Sequence, residues 1–157
     1  MASGLTPLEA AVLVLIARGV DNPRDIAELL NVSEGDVRRV IEGLVARGFL
    51  ERRERRILFF KREKLVLTEL GFEALSDAEK ILREIAERVR RATQAIMEAK
   101  RGQHNAEEQP VVLAPDEVIL APLLVTLGLL PGLLALDMLA LLGAGVDAST
   151  HHGHGGH

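Results

Sequence analysis

Residues 22–48 read NPRDIAELLNVSEGDVRRVIEGLVARG, and the fold turns on them. Asn22 stands where a helix cap is expected, with Pro23 at the first helical position and Asp25 three residues after the cap. Ser33 and Asp36 repeat the pattern. Each is the signature of a capping box, in which side-chain acceptors meet the free N–H groups of a first helical turn. Ile26, Leu29 and Leu30 give the first helix one apolar face, and Val37, Val40, Ile41, Leu44 and Val45 give the second another, at helical spacing. Gly48 follows the last apolar turn, where a left-handed C-cap residue belongs. Two short capped helices with facing stripes make a helix-turn-helix, a motif whose second helix enters the DNA major groove.

Upstream, Thr6-Pro7-Leu8-Glu9 has the same grammar and opens a helix that runs to about Arg18 and stops at Gly19. Its apolar positions Leu8, Ala11, Val12, Leu15 and Ile16 complete a three-helix core. Downstream, Phe49 to Thr68 is rich in strand formers and lacks a helix cap, so a β-hairpin is expected. No Gly, Pro, Asn or Asp marks its turn, but the charges are nearly symmetric about Leu58-Phe59, which places an apolar ILFF at the tip.

With these motifs in place, the stretch from Leu5 to Leu75 resembles the winged-helix transcription regulators of the MarR and PadR type. The resemblance rests on the helix-turn-helix, on LVARGFLERR (44–53) leading into the first wing strand, and on LVLTELGFEAL (65–75) leaving the second. In those families the Leu-Thr-x-x-Gly element, here Leu67-Thr68-Glu69-Leu70-Gly71, closes the wing and starts the next helix. The resemblance implies a homodimer on double-stranded DNA, with the second helix in the major groove and the wing on the backbone or minor groove. Carried onto this chain, the groove residues are Ser33, Arg38 and Arg39, and the wing phosphate contacts are Arg52, Arg53, Arg55, Arg56, Lys61, Arg62 and Lys64. One departure stands out. Glu34, Asp36 and Glu42 share the second helix with its arginines; acids suit a helix N-terminus but repel phosphates.

From Thr68 to Arg101 runs the longest helical pattern, about 50 Å at 1.5 Å per residue. Leu75, Leu82, Val89 and Ile96 fall seven apart, and Ala78, Ile85, Ala92 and Ala99 form the second series, a four-heptad seam. The favoured reading is a dimerising coiled coil through Leu75, Ala78, Leu82, Ile85, Val89, Ala92 and Ile96; the alternative is a helix packed on its own domain.

Residues 102–115 form a linker, after which Asp116 is expected to cap an apolar segment. Val118 to Leu136 carries no charge over 19 residues, and the apolar run continues past Asp137 to Val146. About 20 such residues span a bilayer, so residues 117–146 are expected to meet lipid as one helix or a helical hairpin, with the basic side cytoplasmic. Asp137 and the lack of flanking Trp, Tyr, Lys or Arg favour the alternative, burial in a dimer core.

The expected fold is therefore mainly α, an α+β winged helix. It comprises a winged domain over 1–72, a long helix over 73–101, a linker over 102–115, an apolar segment over 116–146 and a His/Gly tail over 147–157.

Composition limits what this chain can do. There is no cysteine, which excludes disulfide and thiolate chemistry. Scarce Asn and Gln with abundant charge hint at a thermophilic source. The start, MASGLTPLEAA, has no basic stretch before an apolar run, so no secretory signal is expected. The net charge of −4 hides a split: all 19 Lys and Arg precede residue 102, while residues 38–64 hold ten basic and four acidic residues. An acidic protein with a basic patch is compatible with nucleic acid. There is no phosphate-binding glycine loop, no Ser/His/Asp set and no HExxH, so neither an enzyme nor a cofactor is expected. His151, His152, His154 and His157 lack the further ligands of a defined metal site and read as a flexible tail, with metal sensing the alternative. Two functions of different class remain: a DNA-binding regulator, and a membrane-tethered scaffold whose winged domain binds protein.

Overall fold

Helix α1 (Pro7–Ala17) is the hub, and every residue from Ala10 to Ile16 is buried. A helix apolar all round needs cover on every side. One side is covered by α3 (Glu34–Ala46), which with α2 (Pro23–Leu30) packed against it forms the helix-turn-helix. The other is covered by α4 (Glu69–Lys100), which packs along α1. Between α3 and α4 the chain makes an antiparallel hairpin of β1 (Leu50–Ile57) and β2 (Phe60–Leu67). Two short helices, α5 (Pro115–Ile119) and α6 (Ala121–Thr126), close the far side. This computed structural model describes residues 4–100, Gly102 and residues 113–130.

Local chemistry explains the ends of the helices. Thr6 and Glu9 form a complete capping box: Glu9 N–H donates to Thr6 Oγ1 at 3.1 Å, and Thr6 N–H donates to Glu9 Oε1 at 2.9 Å. The other two caps are one-sided. Arg24 N–H donates to Asn22 Oδ1 at 2.9 Å, and Asp36 N–H donates to Ser33 Oγ at 3.1 Å. Aspartate is one methylene shorter than glutamate, and the Asp36 carboxylate is taken by Arg39. Helix α3 ends as expected. Gly48 has φ +83°, its N–H donates to Val45 O, and Phe49 N–H donates to Leu44 O, a Schellman pattern. Asn31, left-handed at φ 55°, turns α2 sharply into α3.

The Leu67-Thr68-x-x-Gly71 element acquires a physical reason. Thr68 N–H donates to Phe49 O, and the Thr68 hydroxyl donates to Gly48 O while accepting from Gly71 N–H. Thr68 thus caps α4 and staples the end of β2 to the start of β1. Gly71 lies so close to the Phe49 carbonyl that a Cβ would collide with its oxygen.

Three expectations need correction. The seam on α4 is used within one chain. Ala78, Leu82, Ile85, Val89 and Ala92 are buried in the same core as α1, while Leu75 and Ile96 are half-buried and Ala99 is exposed. The all-apolar α1 packs against this stripe, so α4 as far as Ala92 joins the winged core. Next, the described half of the apolar segment is no membrane span. Residues 115–126 form helices of five and six residues, and among the described residues no helix is long and apolar enough to cross a bilayer. Leu120, Leu123, Leu124 and Leu130 are buried in the common core instead. Pro122 at the start of α6 supplies no N–H to bond four residues back, which breaks the run. Finally, Ala114, not Asp116, occupies the N-cap of α5, with Pro115 first in the helix.

Glu117 on α5 is 5 % exposed; one carboxylate oxygen pairs with Arg88 of α4 at 2.7 Å and the other has no partner among the described residues. The pair fastens α5 to α4. Residues 131–146 of the apolar segment and the histidine tail lie outside the described residues.

Candidate nucleic-acid interface

The exposed face of α3 carries Glu34, Gly35, Arg38, Arg39, Glu42 and Ala46. Both of its arginines are held by carboxylates of the same helix. Arg38 Nη2 lies 2.7 Å from Glu34 Oε1, and Arg39 pairs with Asp36. The Ser33 side chain serves as the α3 cap. All three expected groove residues are thus on the solvent side of the second helix, but their polar atoms already have partners. Such exposed pairs are weak, at most about 1 kcal/mol, and exchange readily for a phosphate.

The wing flanks α3. Arg52 on β1 pairs with Glu42 of α3 and, at 3.3 Å, with Glu63 of β2. It is a strut that fixes the wing against the helix. Arg53 pairs at 2.6 Å with Glu51, two residues before it on the same face of the strand. Arg47, which was not among the expected residues, braces the other end of α3. Its Nη1 donates to both carboxylate oxygens of Glu9, at 3.1 and 3.2 Å, and its guanidinium lies 5.0 Å from the centre of the Phe49 ring.

The remaining expected wing residues behave differently. Among the described residues, Arg55, Arg56, Lys61, Arg62 and Lys64 make no ion pair. The strand register sets Arg53 opposite Lys64, Arg55 opposite Arg62 and Arg56 opposite Lys61. Like charges directly across a strand pair are destabilising. Because side chains alternate along a strand, Arg55 and Arg62 share one face of the ribbon and Arg56 and Lys61 the other. The tip is therefore basic on both faces, and residues 55–62 contain no acid. This arrangement does nothing for the hairpin itself and suits a polyanion that accepts contacts from two sides.

The loop is Leu58-Phe59, since Ile57 pairs with Phe60. Phe59 is 98 % and Leu58 88 % exposed. Between the N-terminus of α2, α3 and the wing lies a cleft of about 630 Å³ lined by Arg38, Arg52 and Arg62 together with Asp21, Glu42 and Glu63. The sorting of the cations into paired and unpaired sets escaped sequence reasoning. The near-symmetric charges about Leu58-Phe59 were its visible trace, because symmetry about a hairpin tip sets like charges opposite each other.

Residues 3–56 match the family model described as the MarR family, a match spanning the three N-terminal helices and most of β1. No curated protein and no solved structure matches the chain. The helix-turn-helix with its two-strand hairpin fits a MarR-type winged helix.

Proposed function

We propose that this MarR-type winged helix makes the chain a transcription regulator that binds double-stranded DNA as a homodimer, with most of its electrostatic grip in the wing. The observation that supports this reading is the contrast between the carboxylate-paired arginines of α3 and the unpaired Arg55, Arg56, Lys61 and Arg62 of the wing. Counterion release by cations on phosphates drives such binding without base contacts. Arg38, Arg39 and Ser33 face the groove and set register, Arg52 and Arg53 orient the wing, and the unpaired cations, Lys64 included, hold the backbone. The homodimer follows from the resemblance to MarR-type regulators. A lipid partner does not enter the proposal, because residues 117–130 fold into the protein core or its surface.

A second reading has one observation in its favour: on α3 the acids Glu34, Asp36 and Glu42 outnumber Arg38 and Arg39, which suits a protein partner. An electrophoretic mobility shift with random-sequence and genomic duplexes at low salt separates the two. A shift at micromolar protein or below is expected. No shift with any duplex would sink the regulator and leave the protein-binding scaffold.

A further inference from the structure

The apex of the wing is wrong for a loop that only turns the chain. A two-residue hairpin loop calls for glycine or asparagine wherever φ is positive. Here Leu58 holds φ 55°, a conformation that a branched apolar side chain rarely adopts. Its neighbour Phe59 is almost wholly exposed and touches no core. Strained, exposed apolar residues at a loop tip serve neither folding nor solubility, and strain of this kind clusters at functional sites.

Resting on the DNA-binding reading above, we propose that Leu58 and Phe59 form a wedge that enters the minor groove and opens a base step, kinking the duplex. Three features point there. The wing is tied by Arg52 to Glu42, so it stands beside α3, the element that addresses the same duplex. The minor groove is about 6 Å wide, too narrow for a two-stranded ribbon but open to apex side chains. The unpaired cations lie on both faces of the ribbon, Arg55 and Arg62 on one and Arg56 and Lys61 on the other, matching the two phosphate ridges that wall the groove. A bilayer offers a single charged plane instead. Apolar wedges flanked by cations unstack a step and bend DNA by roughly 20–90° toward the major groove. Thymine–adenine steps open most easily, so the wedge adds a sequence preference at positions no polar side chain reads.

The test uses the full chain and an alternating thymine–adenine duplex carrying 2-aminopurine at its central steps and an end label for anisotropy. Anisotropy reports binding, and 2-aminopurine fluorescence rises when the base leaves the stack. The wild-type protein is expected to change both. The double variant Leu58→Gly, Phe59→Ser relieves the positive φ, so it keeps the hairpin while removing the wedge. Compared at saturation, where anisotropy shows the duplex fully bound by either protein, the double variant is expected to lose the fluorescence rise altogether. Wild-type binding without that rise, or a rise that survives in the double variant, overturns the wedge and leaves the DNA-binding reading standing. No anisotropy change overturns both. Wild-type cosedimentation with phosphatidylcholine–phosphatidylserine vesicles, lost in the double variant and without a fluorescence rise on the duplex, overturns the wedge in favour of a lipid-inserting tip.

Discussion

Gly71 has no room for a side chain, because α4 starts against the Phe49 carbonyl. Gly71→Ala is expected to lower stability by roughly 1–3 kcal/mol in urea unfolding, as overpacking does. Gly43, inside α3 with open space where its Cβ would sit, is the control: alanine there should raise stability by up to about 1 kcal/mol. The Leu-Thr-x-x-Gly spacing was legible as the close of the wing. The carbonyl that excludes a side chain was not, since it comes from the other end of the hairpin. Arg55 tests the wing charges at the same scale. Arg55→Glu turns a repulsive cross-strand pair with Arg62 into an attractive one, worth about 0.2–1 kcal/mol. Its melting temperature should hold or rise while duplex affinity falls roughly tenfold or more. A fall in both would mean that Arg55 serves the hairpin and not a partner.

At the scale of elements, caps and turns were readable because they are local. Thr6, Asn22 and Ser33 cap the helices they were assigned, Gly48 takes the left-handed C-cap, and the hairpin turns at Leu58-Phe59. What failed was the choice of partner for an apolar face. The heptads of α4 are real, but periodicity says that a stripe is buried and not in which chain. The deciding signal was in α1, where Ala10 to Ile16 contains no polar residue and so needs cover from two sides. A similar lesson holds for the described part of the apolar run after Pro115. Its length read as a span, yet Pro122 interrupts it, and Leu120, Leu123, Leu124 and Leu130 fill a core. Leu124→Ala should therefore cost about 2–5 kcal/mol in urea unfolding without detergent or lipid, as a fully buried leucine does. A change below about 0.5 kcal/mol would remove α6 from the core.

For the whole molecule, the acidic balance and the basic wing are parts of one design. Net charge is −4, yet four unpaired cations crowd the end of a single hairpin. Acids of α3 and β1 fasten Arg38, Arg39, Arg52 and Arg53, leaving the tip of the wing as a cluster of cations without ion pairs among the described residues. The fold was legible from residue 5 to residue 75; the division of labour between helix and wing was not, because ion pairing depends on which carboxylates the fold brings within reach. Whether the wing carries the phosphate contacts is read from the salt dependence of duplex binding, measured for the wild type and for a variant with Arg55, Arg56, Lys61 and Arg62 all changed to Ala. Each lost phosphate contact removes about 0.9 from the slope of log K against log salt, so the variant's slope should be shallower by roughly 3–4. An unchanged slope would contradict the account.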